Sequence, residues 1–230
     1  MTNEGSPNPI LELAMIKDGS TGVEHNAIWD DPYKDYIELF AKSGVFYTPT
    51  LQAQYEMPYC AQSYFDHTYQ SLLDAKLSRF TDSFYLRLTK INAQSPDTAR
   101  LFLRQSIVDA RIRHAGGRVC LGSHGNDEGI GAHFELWALQ MGGLTNMEAL
   151  QAATIMGAEA LGVQKDLGSI EVGKIADLLV LNKNPLDDIH NSIDIRYVMK
   201  DGILYDANTL DEIWPEQKKC PDWRLHDSAK

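Results

Sequence analysis

Cysteine is scarce. The 230-residue chain has three, Cys60, Cys120 and Cys220, an odd number at wide and unpatterned spacing. They form neither a disulfide framework nor a zinc knuckle. Cys120, inside a short apolar run, is expected to pack as a small hydrophobe. Long apolar runs are missing too. No stretch approaches the ~18 uninterrupted apolar residues that a membrane span requires. The start, Met1-Thr2-Asn3-Glu4-Gly5, is polar and has no basic region ahead of an apolar core. It does not read as a signal peptide, which leaves the compartment open: cytoplasmic, or periplasmic with a signal upstream. Positive charge is also short, with 21 Lys and Arg against 32 Asp and Glu, a net charge of −11 and a pI near 5.0. Nucleic acid and anionic membranes both need a basic footprint, so neither is an expected partner. The remaining composition, 43% hydrophobic and 23% charged, is ordinary for a soluble chain. Its length suits one large domain, or one domain with a small appendage.

What is present is a repeated unit. Ile10-Leu11-Glu12-Leu13-Ala14-Met15-Ile16-Lys17-Asp18 places apolar residues on a helical face and stops at Gly19. Thr21-Gly22-Val23-Glu24-His25-Asn26 is then a short strand whose end carries His25. Tyr36 to Ser43 is helical and stops at Gly44. Val45-Phe46-Tyr47-Thr48-Pro49-Thr50-Leu51 follows, β-branched and aromatic, hence a strand. It must end or bulge near Pro49, which has no N–H for a ladder. Residues 1–9 read as a loop, and Gln52 to about Asp66 as a loop with a short helix. Two amphipathic helices, Leu72 to Asn92 and Asp97 to Arg113, lead to Ala115-Gly116-Gly117 and a third strand, Val119 to Leu121. That strand ends in Gly122-Ser123-His124-Gly125, a turn whose glycines let the backbone bend sharply and a ligand come close.

Helix, glycine stop, short strand and polar strand end thus recur three times. That is the signature of consecutive parallel αβ units, rather than of three unrelated loops. Such proteins place their chemistry at the C-terminal ends of strands. Here those ends carry His25, Thr48 and Thr50, and His124; the threonines suit wall hydroxyls better than catalysts. Ala132 to Met141 is a further helix. Thr145-Asn146-Met147-Glu148 is a capping box opening another, with Leu150, Ala153, Thr154, Gly157, Ala158 and Leu161 on its packing side. From about residue 166 the pattern changes to turn-rich ribbon. Ile175 to Leu181 reads as a buried strand, and Ile195–Lys200 and Ile203–Tyr205 as strands joined by an Asp201-Gly202 hairpin turn. From Asp211 the tail is polar and expected to wrap the surface. His67, His114, His190 and His226 read as surface residues.

Gly168-Ser169-Ile170-Glu171-Val172-Gly173-Lys174-Ile175-Ala176-Asp177-Leu178-Leu179-Val180-Leu181 closely resembles the C-terminal signature of the metal-dependent amidohydrolase superfamily. Leu144-Thr145-Asn146-Met147-Glu148-Ala149-Leu150 with Ala153-Thr154 is similar to the family's last barrel helix, and Val23-Glu24-His25 to its sixth strand. Gly122-Ser123-His124 falls where the family has Gly-Ser/Thr-Asp. The branch most alike is that of imidazolonepropionases and Xaa-Pro dipeptidases. The resemblance implies an α/β fold, the C-terminal part of a (β/α)8 TIM barrel (about strands 5–8) over residues 1–165. A small β-sandwich region at 166–215 and a tail at 216–230 would follow. It implies a hydrolase acting on carbon–nitrogen bonds of small molecules, cyclic amides or dipeptides through a metal-activated water. The cofactor would be a divalent metal, zinc in most of the family. His25 would be a metal ligand and His124 a ligand and proton-transfer group. His133, on the following helix, would face the substrate. Asp177 would be structural. Nothing in the chain supplies the family's first-strand His-x-His pair, and Glu4 lies where a fifth-strand ligand would be. A full barrel takes ~250 residues, more than precede residue 166. The chain is therefore expected to need an N-terminal half or a second copy, because part of a barrel leaves an exposed edge. A catalytically incomplete assembly piece is the alternative function.

Overall fold

The structure, a computed structural model, describes residues 1–25, 31–53, 60–69, 101–124 and 129–221, with His67 described by its backbone alone. Four short parallel strands come first: β1 (Thr2–Glu4), β2 (Gly22–Glu24), β3 (Phe46–Thr48) and β4 (Arg118–Val119), adjacent in sequence order. Parallel neighbours need long crossovers, and helices supply them. Helix α1 (Pro9–Lys17) starts where the Asn8 side chain accepts from the Ile10 N–H, with Pro9 inside the first turn. Helix α2 (Lys34–Ser43) stops at Gly44, whose φ of 78° is the left-handed geometry that glycine adopts without penalty. Helices α3 (Ala61–Thr68), α4 (Leu101–His114) and α5 (Ile130–Met141) follow.

α1 packs on α2, α2 on α4, and α4 on α5, so the helix layer keeps the order of the strands. A sheet wound in one direction, as an arc of a barrel is, has this order; a doubly wound sheet reverses it. The register aligns Val23 with Tyr47 and Tyr47 with Val119. All three are fully buried, in one core with Tyr36, Phe40, Phe65, Phe102, Phe134 and Trp137. Each such side chain contributes roughly 1.5–3 kcal/mol of burial.

Helix α6 (Asn146–Gln151) opens with the capping box, Thr145 accepting from the Glu148 N–H and Glu148 from the Thr145 N–H. A π-helical turn (Ala152–Met156) leads into α7 (Gly157–Ala160). A second sheet is antiparallel: β5 (Leu178–Leu181), β6 (Ile195–Lys200), β7 (Ile203–Asp206) and β8 (Glu212–Trp214), in that order. Asp201 and Gly202, with φ of 50° and 78°, make the β6–β7 turn with two left-handed residues, as the tightest hairpins require. Asp177 accepts from the Asp201 N–H at 2.7 Å and pairs with Lys200, the structural role expected of it. A 3₁₀ turn (Ile189–Ile193) joins this region to α5, where the Trp137 indole donates to Ile189 O at 3.2 Å and Ser192 Oγ at 3.1 Å.

Several expectations need correction. Residues 2–4, read as loop, form β1, because polar side chains hid a strand whose only demand is a backbone ladder with β2. The short helix expected within Gln52 to Asp66 is α3, which runs two residues further, to Thr68. Ile175–Leu181 is not buried: β5 is an outer strand, with Leu179 55% and Val180 43% exposed. Among the described residues the sandwich is a single sheet. The tail contributes β8, paired with β7. On the helix after Thr145 the buried residues are Ala149, Ala152 and Ala158, whereas Leu161, Ala153 and Thr154 are exposed; the π turn shifts the face by adding a residue. The expected helix Leu72–Asn92 lies outside the described residues. Among those residues no helix is long and apolar enough to cross a membrane.

Candidate strand-end site

The parallel strands end on one side, and each end carries a polar group. Glu4 closes β1, and His25 follows β2. Thr50 comes two residues after β3, and His124 follows the short segment after β4. The ladder continues for one residue past β2, where the His25 N–H donates to Thr48 O at 3.0 Å. His25 then turns left-handed, with φ of 68°. Its Nε2 lies 2.7 Å from Glu4 Oε1, and its Nδ1 meets Thr50 Oγ1 at 2.5 Å. The ring of His124, also left-handed with φ of 44°, stands edge-on to that of His25 with centroids 5.0 Å apart. Two positive-φ side chains side by side, a conformation uncommon outside glycine, mark a place where geometry is imposed by the surroundings.

Those surroundings are buried and polar. Glu135 on α5 is completely buried and accepts from the Leu51 N–H at 2.8 Å and the Gln52 N–H at 3.1 Å. Burial pushes its carboxyl well above the usual range, against the downward pull of those two N–H groups. The Gln52 side chain, 1% exposed, donates to Ser123 O at 3.0 Å, Ser123 Oγ at 3.2 Å and Gly131 O. Gly122 lets the β4 end run against the β3 end: a Cβ there would sit 2.0 Å from Pro49 O. Cys120 is buried just before it, its thiol pushed up to about 12 by burial, so it is packing and not a nucleophile.

Of the expected site residues, His25 and His124 are brought together. His133 faces elsewhere, its Nδ1 3.0 Å from Ser192 Oγ on the 3₁₀ turn. It lines a cavity of about 620 Å³ with Ile130, Lys183, His190 and Asp194. His190, expected at the surface, rests against Trp137, ring centroids 4.5 Å apart, and bonds Asp188 at 2.8 Å. His114 is half exposed beside Glu148, whereas His226 and the side chain of His67 lie outside the described residues. Glu135 and Gln52 were missed. Glu135 had a signal: it is the one charge in the apolar run Phe134–Leu139. Gln52 had none.

The donor chemistry at the strand ends, two imidazoles and a carboxylate, is of the type that divalent metals take. Its arrangement is incomplete. Among the described residues no three His, Cys, Asp or Glu side chains converge as a metal-holding group. A catalytic zinc takes three protein ligands, so the residues present fit as part of a set and not as a whole one.

Residues 8–204 match the model of the Amidohydrolase family, and the chain belongs to that family. It is 43% identical to a 5'-deoxyadenosine deaminase of Methanobrevibacter smithii over 65 residues, 28% of this chain and 14% of that protein. It is 38% identical to an imidazolonepropionase of Symbiobacterium thermophilum over 76 residues, 31% of this chain and 18% of that protein. Among solved structures it is similar to a Xaa-Pro dipeptidase with bound methionine, with a TM-score of 0.62, 23% identity, and coverage of 89% of this chain and 44% of that one. That likeness is one of fold, an α/β fold of TIM-barrel type. The chain spans less than half the length of these proteins.

Proposed function

We propose that the chain carries the C-terminal half of a hydrolase site for carbon–nitrogen bonds in small amides, cyclic amides or dipeptides. The parallel strands would be about the fifth to eighth of a (β/α)8 barrel. The observation that supports this most is the pairing of His25 and His124 at adjacent strand ends, in a chain of the Amidohydrolase family. His25 is the ligand for a divalent ion, zinc by preference, with Thr50 at Nδ1 fixing the ring so that Nε2 faces the site. A divalent ion held there would supply a water acidic enough to attack at neutral pH. His124, exposed and with its ring edge-on to His25, takes and returns the proton of the reacting group. Glu4, at His25 Nε2, would join the ligand set. His133, on the cavity wall, contacts the substrate part remote from the cleaved bond.

A second reading has its own support. With no group of three donors among the described residues, the chain would be an assembly piece, competent only when joined to an N-terminal half or a second copy. Elemental analysis of the purified chain beside His25→Ala separates the two. Near-stoichiometric metal, lost in the variant and accompanied by turnover of a dipeptide or cyclic amide panel, is the result expected of a working half-site. Absence of both from the isolated chain favours the assembly piece and overturns the self-sufficient hydrolase.

A further inference from the structure

Glu135 and Gln52 touch neither imidazole, yet both reach the residues that hold them. Glu135 accepts from the N–H groups of Leu51 and Gln52, immediately after Thr50, whose hydroxyl meets His25 Nδ1. Gln52 in turn grips both oxygens of Ser123, the residue before His124, and the carbonyl of Gly131 at the start of α5. Helix α5, the end of β3 and the turn after β4 are thus joined by five hydrogen bonds through two side chains that are 0% and 1% exposed.

Satisfying two stray N–H groups does not require this. Past Pro49 the chain has left the ladder, and its N–H groups need acceptors, but a bound water or a neutral amide would serve. A buried carboxyl group is an expensive acceptor. What it gives in return is two hydrogen bonds accepted at one rigid point on a helix embedded in aromatic core. Because Gly122 and Pro49 are in direct backbone contact, a shift of one strand end carries to the other.

We propose that Glu135 and Gln52 are positioning residues, a buried clamp that sets the distance and orientation between His25 and His124. The clamp rests on the proposed site for its catalytic meaning only; its geometry can be tested without turnover. The experiment is proton NMR of the histidine rings in the full chain at one pH, with ring-labelled histidine, for wild type, Glu135→Gln, Gln52→Met and Ser123→Ala. The expected wild-type signature is a ring-to-ring NOE between His25 and His124. Glu135→Gln and Gln52→Met should lose that NOE and shift both ring signals, while His114 and His190 keep theirs. Ser123→Ala removes only one acceptor, at a partly exposed position, and should weaken the NOE in a fully folded chain. Folded variants that keep the NOE and all four ring shifts would overturn the clamp. If the two buried variants do not fold, an unchanged NOE in Ser123→Ala overturns it as well. A surviving NOE pattern with no hydrolysis would count against the hydrolase reading and leave the clamp standing.

Discussion

At the scale of single residues, the left-handed backbone of His124 makes a measurable demand. At φ of 44° a side chain with a Cβ is strained by roughly 1–2 kcal/mol, which glycine avoids. His124→Gly should therefore be more stable than His124→Ala by about 1 kcal/mol in urea unfolding. Equal stabilities would mean the turn relaxes in both. The buried phenols make a second demand. Tyr36, bonded to Glu12 at 2.7 Å, and Tyr47 are raised above the ordinary tyrosine range by burial first, with the Glu12 charge second for Tyr36 and the neighbouring Tyr36 phenol second for Tyr47. Folding holds their protons while the unfolded chain releases them near pH 10, so stability is unaffected below that pH and falls above it. Tyrosinate absorbance should show these two ionising only together with loss of the far-UV helix signal; ionisation in the folded chain would contradict it. Thiol reactivity should follow burial likewise, with Cys220 labelled ahead of the buried Cys60 and Cys120 in timed mass spectrometry.

Single elements carry the next prediction. Thr145→Ala removes the acceptor for the Glu148 N–H and half of the capping box, and should cost about 1 kcal/mol. A thermal melt unchanged from wild type would show that α6 is held by its packing alone. That cap was legible in the sequence, as were the glycine stops at Gly44 and Gly116, the strand end at Pro49 and the Asp201-Gly202 turn. All are local: a particular backbone geometry admits few residue types. The strand ends were legible for the same reason, since a periodic pattern placed His25 and His124 at equivalent positions. β1 and β8 were not, because Thr2-Asn3-Glu4 and Glu212-Ile213-Trp214 have no apolar alternation and owe their structure to distant partners. The exposure of β5 was hidden as well. An apolar run reports that a strand has an apolar face, not that anything lies on it. Glu135 and Gln52 act on residues 71 to 84 positions away, beyond any local pattern.

For the molecule as a whole, the outer strands matter most. Among the described residues β1 and β4 bound one sheet, β5 and β8 the other. On the β5 edge of the second, Leu179 is 55% and Val180 43% exposed. Such edges pair with other chains unless blunted. Light scattering should find the purified chain above its 25.8 kDa monomer mass, and Val180→Lys, a charge on the β5 edge, should move it toward monomer. A monomer in both would remove the argument from exposed edges.

The strand ends have one further consequence. Glu4, His25, Thr50 and His124 are supplied by four separate segments, while Val23, Tyr47 and Val119 hold the wall beneath them. A single codon can rewrite one member of the set without loosening that wall. Over evolutionary time such a scaffold can exchange one chemistry for another by separate small steps. Each step is judged on what the new side chain does rather than on whether the protein still stands.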